Sequence, residues 1–145
     1  MGSVVELTPE EFNLHLDPIL LHIERESDQP GRYNPEHFYP TWQKLMRAGV
    51  ARTWEAPGCV LGAVFFPDTI SGALYGSVHF WWALPAVRGT GAPMRLFKAF
   101  EQAARAAGCK RVFSMAYETL NPSNLSAVYP RLGYSKHETI FSKEL

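Results

Sequence analysis

A glycine-rich turn between a predicted strand and a predicted helix has the residue types that bind an anion. Its two glycines let the chain turn so that several backbone N–H groups face one point. The first turn of the following helix adds unpaired N–H groups and the positive end of the helix dipole, which together favour phosphate. The sequence lacks the third glycine of a Gly-x-Gly-x-x-Gly fingerprint and has no Gly-Lys-Ser/Thr, which argues against a dinucleotide or P-loop site. The turn consists of Arg88, Gly89, Thr90, Gly91 and Ala92.

Two titratable side chains near this turn are candidates for moving a proton. His79 lies in the long predicted strand before the turn, and imidazole titrates near neutral pH. Glu118 ends the next predicted strand, which would border a cleft. The structural alternatives are a half-buried core histidine for His79 and an exposed strand-end charge for Glu118. Between the first two predicted helices, a polar turn would either line the mouth of an acceptor site or form a surface loop; it carries Arg32, Tyr33 and His37.

Composition and charge restrict the classes of protein to which the chain can belong. The chain has 145 residues, 46% of them apolar, which suits one domain, residues 1–145, with a substantial core. Its 14 basic and 14 acidic residues cancel, so neither nucleic acid nor an anionic membrane surface is an expected partner. With no apolar run of membrane-spanning length and no visible secretory leader, we expect a cytoplasmic protein. Cys59 and Cys109 lie outside metal-binding spacings, so no metal site is expected.

The period of the apolar residues changes along the chain and predicts a mixed α/β fold. Thr8 and Glu11 form a capping box, and a second helix begins at Asn34 and stops at Gly49. Alternating apolar residues then predict a meander of strands before the glycine turn. Helices are predicted over 8–23, 34–49, 94–107 and 121–133, and strands over 3–7, 50–55, 59–66, 73–84, 110–117 and, as one or two strands, 134–145.

The long predicted strand before the turn separates two kinds of surface. Strict alternation places Val78, Phe80 and Trp82 on an apolar face. His79 and Trp81 fall on the other, mixed face. A central strand of this kind is expected to have a core side and a cleft side. We therefore expect Trp81, beside His79, to be the tryptophan that borders the cleft.

Four motifs follow one another along the chain: the glycine turn, residues 104–108 at the end of the next helix, residues 129–134 and residues 140–145. Together they resemble the motifs of the GNAT superfamily of acetyl-CoA dependent N-acetyltransferases. The glycine turn resembles the family's Arg/Gln-x-x-Gly-x-Gly/Ala motif, and the next helix closes with Ala-Arg-x-x-Gly at 104–108. Residues 129–134 resemble the Tyr-x-x-Leu-Gly-Phe/Tyr signature, and 140–145 resemble the closing strand. The resemblance runs from residue 60 to the C-terminus. It implies an α/β (α+β) fold: a mixed, mostly antiparallel sheet of about six to seven strands with splayed central strands and about four helices.

The resemblance implies direct transfer of an acetyl group from acetyl-CoA to a primary amine of a small molecule or protein, within a ternary complex. In the family, the coenzyme pyrophosphate binds the amides of the glycine turn, and the pantetheine arm pairs with the strand before it. A tyrosine of the last helix often protonates the leaving thiolate, and Tyr129 holds that position. His79 and Glu118 are the candidates for a base. The other residues assigned to the coenzyme are Trp82, Ala83, Leu84 and Asn124.

Two prolines depart from the family's pattern. Pro93 replaces the last Gly/Ala of the coenzyme motif and so removes one N–H donor. Pro130 follows Tyr129 directly, which predicts a short or kinked helix there. These departures keep a second hypothesis open, a binding module of the same fold that has lost catalysis. Edge strands at the C-terminus often pair in this family, which allows a homodimer.

Overall fold

The computed structural model describes residues 2–26, 31, 33–115, 122–138 and 140–145. The chain divides into two units, Met1–Met115 and Ala116–Leu145. Among the described residues, no helix combines the length and the apolar character needed to cross a membrane.

Among its described residues, the first unit contains a sheet, three α-helices and two short 3-10 helices, and those of the second contain one α-helix. The strands are Val5–Leu7 (β1), Ala51–Ala56 (β2), Cys59–Pro67 (β3), Leu74–Ala83 (β4) and Arg111–Phe113 (β5). The helices are Asp17–Glu26 (α1), Pro35–Arg47 (α2), Ala92–Ala106 (α3) and, in the second unit, Pro122–Arg131 (α4). The 3-10 helices are Leu14–Leu16 and Pro85–Val87.

The strands form one sheet in the order β1-β2-β3-β4-β5. Neighbours are antiparallel except β4 and β5, which run parallel. The predicted mixed, mostly antiparallel sheet with four helices is therefore confirmed, with five strands rather than six or seven among the described residues. Residues 134–138 and 140–145 contain no strand. A strand needs a neighbour for its backbone N–H and C=O groups as well as an alternating sequence, and the alternation of the tail does not supply that neighbour.

The first helix begins later than its capping box predicts. The N–H of Thr8 donates to Glu11 Oε1 at 3.0 Å, and the N–H of Glu11 donates to Thr8 Oγ1 at 3.3 Å. These reciprocal bonds enclose only a turn, and α1 begins at Asp17. Pro18 favours a helix start at this point because its fixed φ suits the first turn and its missing N–H is not needed there. The second helix begins after Asn34, as predicted.

Helices cover both faces of the sheet with aromatic side chains. On one face lies α3, whose Phe97 and Phe100 are fully buried. The ring of Phe100 lies 6.1 Å from those of Trp54 and Phe65. Cys59 is also buried, and both cysteines are free thiols. On the other face α1 and α2 form a core that contains Leu7, Phe12, Leu16, Ile19, Leu20, Tyr33, Tyr39, Trp42, Met46, Ala51 and Val60.

A β-bulge at His79 places the residues that follow it in β4 on the opposite face from the one that strict alternation predicts. Ala63 of β3 pairs with Val78, and the adjacent Gly62 pairs with Phe80, so His79 is an extra residue in the ladder. An extra residue shifts the alternation of every residue that follows it. The prediction that His79 and Trp81 share a face is therefore wrong.

The two adjacent tryptophans of β4 consequently face different helices. Trp81 stacks on Phe97 of α3 at 4.8 Å, and its Nε1 donates to the Pro93 carbonyl at 3.1 Å. Trp82 packs against the core formed by α1 and α2. Trp81 is thus fixed beneath α3, and Trp82, not Trp81, lies on the same side as His79.

Candidate functional site

Among the described residues, the second half of β4 pairs with a strand on one side only. β5 pairs with only three residues of β4, joining Tyr75 to Arg111 and Ser77 to Phe113 at the ends of the match. Beyond Ser77, β4 is bonded to β3 on one side, and none of the described residues forms a strand on the other. Within the described residues, the ladder between the two parallel strands thus ends after three pairs, as splayed central strands would require. Trp82, Ala83 and Leu84 lie at the far end of this edge.

The side chain of Arg88 folds back onto that end of β4. Its Nε donates to the Ala83 carbonyl at 2.9 Å, and its Nη2 lies 2.8 Å from Oε1 of Glu26 at the end of α1. The guanidinium carbon lies 5.6 Å from the centre of the Trp82 ring, a cation–π distance. The Trp82 Nε1 atom is buried and donates no hydrogen bond within the described part of the chain. One guanidinium therefore covers the carbonyl that closes β4.

The glycine turn leaves part of its backbone available as donors. Gly89 has a φ of 82°, a conformation that side chains disfavour. Thr90 Oγ1 donates to the Val87 carbonyl at 2.6 Å and accepts from the Ala92 N–H at 3.3 Å. Among the described residues, the N–H groups of Gly89 and Gly91 donate no hydrogen bond. Among the described residues, the turn before α3 therefore offers two free N–H donors. The neighbouring N–H groups of Arg88, Thr90 and Ala92 donate hydrogen bonds of 3.2–3.3 Å.

The imidazole of His79 lies at the bulge with one side against the indole of Trp42. The two ring centres are 6.0 Å apart, and His79 as a whole residue is exposed. Partial burial lowers the pKa of His79 below its ordinary value of 6.5. The neutral form therefore dominates at pH 7, and a neutral imidazole can accept a proton.

The predicted polar turn between the first two helices is split between core and surface. Tyr33 is buried, and its hydroxyl donates to Asp17 Oδ1 at 2.6 Å. Burial and this hydrogen bond raise the pKa of Tyr33, so the phenol stays neutral. His37 is exposed, and its N–H donates to the Asn34 side chain that caps α2. Arg32, like Glu118, lies outside the described residues.

In the second unit, Tyr129 lies near the end of α4. Its ring is half-buried, 5.7 Å from that of Tyr134. α4 ends at Arg131, one residue beyond Pro130, which agrees with the predicted short helix. The Tyr129 carbonyl accepts from the N–H groups of Leu132 and Tyr134, each at 3.0 Å, and these bonds close the helix. Asn124 is in the same helix, and its side chain lies outside the described residues.

A comparison with protein-family models decides the family. The model described as the acetyltransferase (GNAT) family matches residues 18–134. The chain belongs to the GNAT family. GNAT proteins use acetyl-CoA as the acetyl donor, so this coenzyme is the first ligand to consider for the glycine turn. In the described part of the chain, no cluster of three or more His, Cys, Asp or Glu side chains is placed to bind a metal ion.

Solved acetyltransferases share the fold of this GNAT protein. An acetyltransferase of Trypanosoma brucei is 18% identical with a TM-score of 0.74, and the match covers 100% of both chains. The ribosomal-protein-alanine N-acetyltransferase of Brucella melitensis biovar Abortus 2308 is 14% identical with a TM-score of 0.75, over 100% of this chain and 99% of that one. An aminoglycoside acetyltransferase from an uncultured soil metagenomic sample, in complex with sisomicin, is 13% identical with a TM-score of 0.78, over 99% and 96% of the two chains. A search of curated proteins gave no significant match.

Two residues of α1 that lie beside Arg88 in this GNAT protein were not predicted from the sequence. Glu26 contacts Arg88, and His22 Nδ1 lies 3.7 Å from the same Glu26 oxygen. Their four-residue spacing on a helix is a signal that sequence can provide, since such residues lie on one face. The contact with Arg88 joins residues far apart in sequence, and no local pattern predicts it.

Proposed function

We propose that this protein is an N-acetyltransferase that moves the acetyl group of acetyl-CoA to a primary amine of a small molecule or protein. The observation that carries this proposal is the edge of β4 beyond Ser77, on which none of the described residues forms a strand and which continues towards the glycine turn at the start of α3. The edge suits the amide groups of a pantetheine arm, and the free N–H groups of Gly89 and Gly91 suit a pyrophosphate.

The proposed reaction is direct transfer. The neutral amine nitrogen attacks the thioester carbonyl carbon, the C–S bond breaks, and the amine loses a proton while the thiolate gains one. We assign the proton donor to the phenol of Tyr129, whose ordinary pKa near 10 suits donation to a thiolate. His79 is the first candidate for the acceptor of the amine proton, since a lowered pKa favours the neutral imidazole that can accept a proton. Glu118 is the second candidate for the group that accepts the amine proton.

Two features support a second candidate function, a GNAT-fold binding module without catalysis. Pro93 supplies no N–H to the turn, so the cradle has one donor fewer than the family motif provides. The Ala83 carbonyl is already bonded to Arg88, so a pantetheine arm would have to displace a side chain.

Calorimetric titration of the purified protein with acetyl-CoA, followed by a thiol-release assay over a panel of amines, tests the proposal. We expect micromolar or tighter binding and thiol release that depends on the amine. Binding without thiol release for any amine would favour the binding module. Folded protein that binds neither acetyl-CoA nor free CoA would exclude the proposed function.

A further inference from the structure

We propose that Glu26 is a specificity-determining residue that binds a second positive charge on the acceptor, and that Arg88 blocks it until the coenzyme binds. The inference rests on the proposed function, because it needs acetyl-CoA on the edge of β4. It concerns one contact: the guanidinium of Arg88 joins the Ala83 carbonyl to the carboxylate of Glu26.

The contact links the end of β4 to a carboxylate at the end of α1. The side chain of Glu26 is 27% exposed and that of Arg88 is 38% exposed, so the pair is shielded from water without being closed off. The second neighbour of Glu26 is His22, at 3.7 Å from Oε1. In the described part of the chain, Arg88 is therefore the permanent cation that faces this carboxylate.

Coenzyme binding and the present position of Arg88 compete for the same atoms. A pantetheine amide that pairs with the end of β4 needs the Ala83 carbonyl, which now accepts from Arg88 Nε at 2.9 Å. A pyrophosphate on the glycine turn also attracts the guanidinium, since arginine binds phosphate oxygens through two parallel hydrogen bonds. Both effects draw Arg88 away from Glu26.

Once Arg88 has left, the Glu26 carboxylate is partly buried, and no other arginine or lysine of the described residues forms an ion pair with it. Leaving a shielded charge unpaired is costly, so the site then favours a cationic ligand. The attacking nitrogen must be neutral, and a carboxylate would hold its proton in place. Glu26 therefore suits a second ammonium group of a diamine or a lysine-containing acceptor, away from the nitrogen that reacts.

The same competition makes the two ligands cooperative. A coenzyme that removes Arg88 from Glu26 raises the affinity for a dication, and thermodynamic linkage requires the dication to raise coenzyme affinity by the same factor. Glu26→Gln removes both the partner of Arg88 and the acceptor site. This variant should therefore bind coenzyme more tightly and the dication more weakly.

The first experiment measures free CoA binding by calorimetry for the wild type, Glu26→Gln and a control, Glu10→Gln. The control removes the same charge from another arginine pair, since Glu10 Oε1 lies 3.8 Å from Arg47 on an exposed surface. We expect Glu26→Gln to bind CoA about threefold to tenfold more tightly, in line with the loss of one partly shielded ion pair. The control should match the wild type. Equal CoA affinity for Glu26→Gln and wild type overturns the inference.

The second experiment titrates cadaverine, a probe with two ammonium groups, into free and CoA-saturated protein. We expect the wild type to bind cadaverine about tenfold more tightly when CoA is present. Glu26→Gln should lose this gain, and Glu26→Asp, which keeps the charge, should retain part of it. The monoamine n-pentylamine should bind equally to wild type and Glu26→Gln. If cadaverine binds the wild type with the same affinity in the presence and absence of CoA, or does not bind, the inference is overturned.

The two proposals fail in different ways. If the wild-type protein does not bind CoA, the proposed function is excluded, and this inference is excluded with it. If the wild-type protein binds CoA and Glu26→Gln gives the same result as wild type in both titrations, the inference is excluded and the proposed function stands.

Discussion

Replacement of Gly62 by alanine should destabilise the first unit through the ring of Phe80. A Cβ at Gly62 would lie 2.2 Å from Phe80 Cζ, 2.3 Å from Cε1 and 2.8 Å from Cε2. Carbon atoms in contact normally lie about 3.5–4.0 Å apart, so no small adjustment relieves three such contacts. The ring must move, but it is held between Trp42, with centroids 4.9 Å apart, and Phe38, at 5.3 Å.

The magnitude follows from two opposing effects at Gly62. Overpacking a core costs about 1–3 kcal/mol, and three overlaps place this site near the upper end. Alanine restricts the unfolded chain more than glycine does, which returns about 0.4–1 kcal/mol. We therefore expect Gly62→Ala to lower the free energy of unfolding by about 2 kcal/mol, the difference between these ranges near their upper ends.

Urea unfolding followed by tryptophan fluorescence measures this effect. All 4 tryptophans lie in the first unit, so the signal reports on that unit. Phe80→Leu removes the ring atoms that clash, and the double variant with Gly62→Ala completes a double-mutant cycle. The double variant should be less destabilised than the sum of the single variants, by at least about 1 kcal/mol. Additive effects, or a Gly62→Ala protein as stable as wild type, would refute the assigned contact.

Three further variants test other parts of the structure. Thr53→Val leaves the buried Trp42 Nε1 without the acceptor it now has at 2.8 Å, so the free energy of unfolding should fall by about 1–3 kcal/mol; an unchanged urea midpoint contradicts this. The pKa of His79 is lowered in the folded state. The free energy of unfolding should therefore be highest above the ordinary pKa of 6.5 and should fall as the pH drops from there towards the folded pKa. His79→Gln should flatten that part of the curve of stability against pH, and an identical curve argues against the assigned burial. Tyr129→Phe should lower kcat with little change in the dissociation constant of acetyl-CoA; an unchanged kcat removes the proton-donor assignment.

Local signals in the sequence were sufficient where one element determines its own ends. Asn34 accepts a hydrogen bond from the first turn of α2, and Gly49 adopts a φ of 74° just after the helix, as a stop signal requires. The glycine turn likewise lies between β4 and α3 because glycine and proline set the local backbone. Such features depend on residues within a few positions of each other, so the sequence alone predicts them.

The errors arose where residues distant in sequence decide the outcome. Nothing within β4 marks His79 as an extra residue, because the bulge depends on Gly62 of β3 making room for the Phe80 ring. The contact of Arg88 with Glu26 depends in the same way on how α1 packs beside β4. Alternation therefore predicted that β4 is a strand, and it failed to predict which tryptophan faces which helix.

The edge of β4 beyond Ser77, which has no strand neighbour among the described residues, also has a consequence for solubility. An open strand edge among large apolar side chains is a template on which another chain can add a strand. Here the segment carries Phe80, Trp81 and Trp82, and the charged guanidinium of Arg88 covers the carbonyl at its end. Pro85 follows soon after and has no N–H to offer an incoming strand. We therefore expect Arg88 to hinder strand addition at this end of β4, so a substitution that frees the Ala83 carbonyl for coenzyme should also make the protein more prone to aggregate.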